Sequence, residues 1–396
     1  MISTDKLEIS VVLPCLDEAE TLAGCIKAAQ SGIAACGAIG EVVVADNGST
    51  DGSQTIAVNN GARTVEVPEP GYGAALVGGF AAARGKFILM GDADGSYDFG
   101  ELPKFIGQLR EGADFVIGSR FRRAGGVVLP GAMPALHYWL GTPVLTFIAR
   151  LFFGTRITDI NCGMRAFRRD ALAKLDLRMT GMELASEMMI KVALLGLVMR
   201  EVPITLHPDG RSRPPHLRTW RDGWRHLRMM LLFSPRWLFA APGLVLAAMG
   251  AIGLVSLAWG PVQIGAVFFG INSMLVASLI LILGSQLVLL GVFAKSFVVA
   301  EGLLPGSRLD RIGGVLRLES GVIVGSVLAL CGAALIAWAI LQWRATGFGV
   351  LVTLEPTRAV VFGVTLIVLG VQIASAGFFL GVLGLRRISG AVDRED

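Results

Sequence analysis

The chain has 396 residues, 53% hydrophobic and 17% charged, with a mean hydropathy of +0.64. That is too apolar for an ordinary soluble protein and too charged for a purely membrane one. A net charge of +4 is too small to argue for a nucleic-acid partner. Most of the charge lies before about Ser234, and long apolar runs begin at Trp237, which predicts a water-facing domain followed by a membrane domain. The five cysteines (Cys15, Cys25, Cys36, Cys162, Cys331) are odd in number and form no C-x-x-C pair. They suggest neither a disulfide framework nor a zinc site and fit a reducing compartment. The first ten residues show no basic region followed by an apolar run, so no signal peptide is expected and the motif-bearing domain should stay cytoplasmic.

In chain order, Ile9–Leu13 reads as a first strand ended by Pro14. Asp17-Glu18-Ala19-Glu20 then opens a helix, its acidic first turn suiting the helix dipole. Glu41–Ala45 is a second strand, and Asp46-Asn47-Gly48-Ser49-Thr50-Asp51-Gly52 its turn into another helix. A third strand is expected at Thr64–Val67, followed by a helix opening at Gly71-Tyr72-Gly73-Ala74-Ala75-Leu76. The apolar run Phe87–Met90 reads as a buried strand that stops at Gly91 and delivers Asp92 and Asp94 to its carboxyl end. Two carboxylates there can hold a divalent cation, and a cation can hold a diphosphate. The same residues also suit a plain surface turn. Strands alternating with helices predict a doubly wound α/β domain with a mostly parallel sheet, and Pro14, Asp46 and Asp92 converge on one edge. A dinucleotide fingerprint fails because Leu76 stands where the third glycine is needed.

These motifs, in this order, resemble a family-two glycosyltransferase with the GT-A fold, a Rossmann-like nucleotide-sugar-binding domain. Within that family they are most similar to polyprenyl-phosphate sugar synthases of the dolichyl-phosphate mannose or glucose synthase type. The likeness covers about residues 8–230. It implies that Pro14, Leu16 and Glu18 line the nucleoside pocket and that Asp46 bonds the base or ribose. Asp92 and Asp94 then match the D-x-D pair for Mg²⁺ or Mn²⁺ and the nucleotide diphosphate. Asn47 stands where many relatives have a second Asp, and Ser96 where relatives often have a Gln that completes the metal shell. Arg120, after the strand Phe115–Ser119, is implied to face the acceptor phosphate. Asp209–Pro215 matches a mobile loop, with Ser212-Arg213 in place of Ser-Lys, so Arg211 and Arg213 are implied to bind phosphate. In the loop Thr158–Arg165, Asp159 and Arg165 either brace each other or contact substrate. On the helix Gly181–Leu195, Glu183 and Glu187 share a face; an ion pair of Glu187 with Lys191 is weighed against contact with sugar hydroxyls. The implied reaction inverts the anomeric carbon and serves cell-envelope glycan synthesis. Its partners are a nucleotide sugar (UDP- or GDP-linked) and polyprenyl phosphate. A homo-oligomer is left open.

The catalytic domain is expected over 1–215, with an interfacial helix at about 135–153. Residues 216–234 carry Arg218, Arg221, Arg225 and Arg228 on one face and Trp220, Trp224, Leu227 and Leu231 on another, an amphipathic helix suited to anionic membrane lipid. Four spans are expected within 235–388, at about 237–259, 266–293, 319–341 and 359–384, with a cytoplasmic tail at 389–396. Lys295, Arg308, Arg311, Arg317, Arg386, Arg387 and Arg394 fall on one side of these spans, which places that side and the domain in the cytoplasm of a cell (inner) membrane protein. Two further readings are a processive polysaccharide synthase, disfavoured because Gln342-Trp343-Arg344 is not its Q-x-x-R-W motif, and a non-catalytic membrane scaffold for sugar-lipid handling.

Overall fold

The computed structural model describes residues 7–212, 219–300, 318–351 and 353–392. It divides into two units, residues 1–233 and 234–396. In chain order the first unit contains β1 (Ile9–Cys15), α1 (Leu22–Ala35), β2 (Gly40–Asp46), α2 (Ser53–Asn59), β3 (Arg63–Glu66), α3 (Tyr72–Ala82), β4 (Phe87–Met90), α4 (Leu102–Arg110) and β5 (Phe115–Ser119). It continues with β6 (Val127–Val128), α5 (Thr142–Phe153), β7 (Arg165–Arg168), α6 (Arg169–Lys174), α7 (Leu184–Leu194), β8 (Met199–Pro203), β9 (Thr205–Leu206) and α8 (Thr219–Leu232). Seven strands form one sheet in the order β3-β2-β1-β4-β7-β5-β8. Only β7 runs antiparallel to its neighbours β4 and β5. This is the GT-A-like, mostly parallel sheet. Every residue of β1, β4 and β5 is buried, as expected of strands covered on both faces.

Two local features depart from the sequence reading. β1 runs through Pro14 to Cys15. β4 pairs with it only as far as Val12, and the Gly91 amide donates to the Val12 carbonyl. The Asn47 amide donates to the Cys15 carbonyl, so Cys15 faces β2 and Pro14 faces the side where β4 has ended. The missing proline N–H therefore costs no ladder bond. The acidic run Asp17–Glu20 is not a helical first turn, because α1 starts only at Leu22. Asp17 adopts φ +57° and accepts from the Thr50 amide at 2.8 Å, while the Asp51 carboxylate accepts from the Ala19 amide at 2.8 Å. These carboxylates stitch two loops together at the sheet edge.

The segment read as interfacial begins with a π-helical turn, His137–Gly141, before α5. Pro143 explains the wide turn, since its ring would strike the carbonyl four residues earlier in a regular helix. Trp139 (76%) and Phe147 (65%) stay exposed on this segment, as do Trp220 (81%) and Trp224 (57%) on α8. α8 also has a third face that its periodicity did not reveal. Asp222, His226, Met229 and Met230 are buried, and His226 Nδ1 is hydrogen-bonded to Ser186 Oγ of α7 at 2.7 Å. Burial first, and then the nearby Arg165 charge, lower the His226 pKa to about 4.

The second unit contains α9 (Ala241–Ser256), the hairpin β10 (Val262–Ile264) and β11 (Val267–Phe269), then α10 (Ile271–Ala300), α11 (Leu318–Ala345) and α12 (Glu355–Val392). Among the described residues, four helices are long and apolar enough to cross a membrane: Arg236–Ser256, Ile271–Ala300, Leu318–Ala345 and Glu355–Leu383. The second apolar run, expected from residue 266, becomes helical only at Ile271. The hairpin occupies the preceding residues, and Gly265 supplies the φ of +60° at its turn. A π turn at Arg236–Ala240 precedes Pro242, repeating the arrangement before α5. α11 and α12 meet along a glycine seam: a Cβ on Gly325 would run into the Gly370 carbonyl, and one on Gly332 into that of Gly363. Ser278 of α10 and Thr365 of α12 share a hydrogen bond of 2.6 Å.

Candidate active site

The carboxyl edge of the first unit's sheet carries Pro14 near the end of β1 and Leu16 just after it, Asp46 at the end of β2, Asp92 and Asp94 after β4, and Arg120 after β5. Leu16 is exposed, whereas Glu18 is buried. Asp46 is 1% exposed. Its Oδ2 accepts from the amides of Gly48 and Ser49 at 3.2 Å and from Gln54 Nε2 at 2.6 Å. Its Oδ1 is buried with no partner among the described residues, an acceptor in want of a donor.

Next to it, Asn47 works through its amide. Nδ2 donates to the Val67 and Glu69 carbonyls at 2.9 and 2.7 Å, and Oδ1 accepts from the Gly71 amide at 2.7 Å. The asparagine clamps the loop between β3 and α3. An aspartate at this position has no N–H to donate and could not make the two bonds from Nδ2.

Asp92 Oδ1 accepts from the Tyr72 hydroxyl at 2.8 Å, and its Oδ2 has no hydrogen bond among the described residues. Burial, and then the neighbouring Asp94 charge, push its pKa up to about 7. Asp94 Oδ1 is taken up by the Ser96 amide (2.9 Å) and hydroxyl (2.6 Å). Ser96 thus orients the carboxylate. Asp94 Oδ2 accepts from Arg211 Nη2 at 2.9 Å. Arg211 also reaches Glu18 Oε1 (3.1 Å, through Nη1) and Asp209 Oδ2 (3.0 Å), so the sequence-predicted phosphate ligand sits among carboxylates. Its loop is fixed to the site by backbone bonds from His207 to Ser96 (2.9 Å) and from Gly210 to Asp94 (2.8 Å). The Ser212 amide and hydroxyl donate to Glu20 at 2.8 and 2.6 Å. Arg213 lies outside the described residues.

Arg120 forms a buried two-point ion pair with Asp159, Nε to Oδ2 at 2.6 Å and Nη2 to Oδ1 at 2.9 Å. Burial alone would lower the Arg120 pKa, but the Asp159 charge and hydrogen bonds outweigh it and raise the pKa. Arg120 Nη1 has no hydrogen bond among the described residues. The loop-bracing partner of Asp159 is therefore Arg120 and not Arg165. The Arg165 guanidinium instead donates to the carbonyls of Cys162, Ile160 and Ala185. Glu201, absent from the sequence reading, accepts from the Thr158 and Asp159 amides at 2.8 and 3.1 Å and holds that loop from β8. Tyr97 links the two sides: its hydroxyl accepts from the Gly163 amide at 2.7 Å, and it feels the charges of both Arg120 and Asp92.

Glu187 pairs with Lys191 at 2.7 Å and accepts from the Arg178 and Met179 amides, so it braces the loop before α7. Glu183 keeps a buried Oε2 with no partner among the described residues. Among the described residues no group of three or more His, Cys, Asp or Glu side chains forms a metal cluster. Asp92 and Asp94 alone fit a hard cation that takes its remaining ligands from phosphate and water.

A family model described as "Glycosyl transferase family 2" matches residues 10–176, and one described as "Glycosyltransferase family 2 C-terminal transmembrane region" matches 292–384. The "Low-salt glycan biosynthesis hexosyltransferase Agl6" of Haloferax volcanii is 40% identical over 384 residues, 95% of this chain and 89% of that protein. The "Undecaprenyl-phosphate mannosyltransferase" of Micrococcus luteus is 33% identical over 177 residues, 42% of this chain and 71% of that protein. The "Dolichyl-phosphate hexose transferase" of Haloferax volcanii is 33% identical over 165 residues, 41% and 68% of the two chains. Among solved structures, glucosyl-3-phosphoglycerate synthase from Mycobacterium tuberculosis with Mn²⁺ and UDP superposes at a TM-score of 0.46 and 23% identity, covering 58% of this chain and 81% of that one. With its D-x-D edge, the four described helices long and apolar enough to cross a membrane and a relative aligned along almost its whole length, this chain belongs to glycosyltransferase family 2 and is a membrane protein.

Proposed function

We propose that this glycosyltransferase moves a hexose from a nucleotide diphosphate donor to the phosphate of a polyprenyl phosphate, with inversion. The observation that carries the reading is the placement of Asp92 Oδ2 and the unpartnered Asp46 Oδ1 on one sheet edge. One is open to a cation and the other to a base or ribose donor. Asp92 and Asp94 would hold Mg²⁺ or Mn²⁺, which when bound neutralises charge on the leaving nucleoside diphosphate. Pro14, Leu16 and Glu18 border the nucleoside side. Arg120, whose Nη1 has no hydrogen bond among the described residues and whose other edge is locked by Asp159, is preorganised for the acceptor phosphate. Arg211 and Arg213 supply further cations. A phosphate acceptor is ionised near neutral pH and needs no strong base. That fits His226 being spent on Ser186.

The names of two relatives, a dolichyl-phosphate and an undecaprenyl-phosphate transferase, support the lipid acceptor. The exposed Trp139, Phe147, Trp220 and Trp224 suit contact with anionic lipid on the cytoplasmic face. A processive synthase is disfavoured by Trp343, whose indole donates to the Gly349 carbonyl at 2.9 Å and packs on Phe348 as a helix-end anchor.

The test incubates purified protein with Mn²⁺, labelled UDP- or GDP-sugars and polyprenyl phosphate. Label should enter the lipid fraction and disappear with Asp94→Ala. Long polymer made without lipid would favour the synthase, and absence of metal-dependent donor binding would favour a scaffold.

A further inference from the structure

We propose that Arg211 is an internal counter-ion that occupies the cation position beside Asp94 in the nucleotide-free protein, and that a divalent ion must displace it. The inference rests on the metal reading of Asp92 and Asp94. The Arg211 guanidinium gathers carboxylates from three separate segments: Glu18 from the loop after β1, Asp94 from the turn after β4 and Asp209 from its own loop. Asp94 Oδ1 already accepts two hydrogen bonds from Ser96, so Oδ2 is the oxygen offered to a ligand. Arg211 holds that oxygen at 2.9 Å. A hard dication binds carboxylate oxygen at roughly 2.0–2.2 Å for Mg²⁺-sized ions, which would set two positive centres within one contact distance of each other. Guanidinium and metal therefore exclude each other at Oδ2.

A second observation points to where the arginine goes. Arg211 Nε is buried and has no partner among the described residues, a donor that costs free energy until an acceptor arrives. Backbone bonds at His207 and Gly210 keep the loop on the site. The displaced side chain thus stays within reach of phosphate oxygens that arrive with the metal, and their fork-like acceptors suit a guanidinium. Arg211 is a positioning residue that makes metal binding weak alone and strong together with a nucleoside diphosphate.

The experiment titrates the full-length protein in detergent with Mn²⁺ alone, followed by the EPR signal of free Mn²⁺. It then measures UDP and GDP binding at saturating Mn²⁺ by calorimetry. Arg211→Gln should bind Mn²⁺ alone about tenfold more tightly than the wild type and the better nucleotide about tenfold more weakly. Arg211→Lys, which keeps the charge but loses the fork, should fall between them in both. Opposite signs are the signature, because a merely structural role weakens both. Equal or weaker Mn²⁺ binding by both variants overturns the exchange. Asp94→Asn separates the two failures: if it loses Mn²⁺ while the Arg211 variants do not gain it, only the exchange is wrong. If it binds Mn²⁺ like the wild type, the metal site itself is wrong.

Discussion

The two ion-pair sites on the sheet's carboxyl edge differ in what they leave open. At Arg120 and Asp159 both carboxylate oxygens are engaged, the pair is buried, and Glu201 holds the backbone that presents it. At Asp46, Asp92 and Asp94, each carboxylate has one oxygen tied down by neighbouring residues. Among the described residues the other is either unpartnered or held only by a single arginine from a distant loop. The first arrangement is a joint and the second a socket. A buried polar atom left without a partner is costly, so Asp46 Oδ1, placed on the same edge as the open oxygen of Asp92, is set up for a donor to fill it.

Breaking the socket should have the largest effect. Asp94→Asn is expected to lower kcat/KM by about 10³-fold, some 4 kcal/mol of transition-state stabilisation, with an unchanged far-UV circular dichroism spectrum. Breaking the joint should act on stability first. Asp159→Ala leaves a buried guanidinium unpaired and is expected to cost about 3–5 kcal/mol in denaturant unfolding of the first unit. A smaller effect belongs to His226, which serves neither site. The unfolded chain takes up a proton near pH 6.5 and the folded one only near pH 4. Stability should therefore be full above pH 6.5, fall as pH drops from 6.5 to 4, and level off below, by about 3 kcal/mol in all. His226→Gln should flatten that slope in a thermal-melt pH series. The smallest change is expected for Asn47→Asp. It removes two donor bonds from the loop before α3, about 2 kcal/mol, and should raise hydrogen exchange at residues 67–71 without altering the D-x-D pair.

The socket was more legible in the sequence than the joint, for a physical reason. β4 and its acidic turn are local: a four-residue apolar run, a glycine and two carboxylates announce a buried strand that ends in a site. Arg120 was also visible as a cation after a strand. Its partner was not, because Asp159 lies 39 positions away and the sequence offered the much nearer Arg165 as the partner of Asp159. The same limit hid the carboxylates that gather around Arg211, whose bond to Glu18 spans 193 positions. The acidic run 17–20 was misread because a carboxylate before an apolar helix looks like a dipole partner until the loop it binds is known. The buried seam of α8 escaped because Asp222 and His226 are polar, and periodicity counts only apolar residues.

The glycine seam between α11 and α12 has a consequence for sequence change. In most helix contacts an enlarged residue on one side can be offset by a smaller one opposite. Here Gly325 faces Gly370, and Gly332 faces Gly363. Nothing smaller exists to substitute, so a bulky replacement at any of the four has no second-site remedy across the seam and must push the two backbones apart.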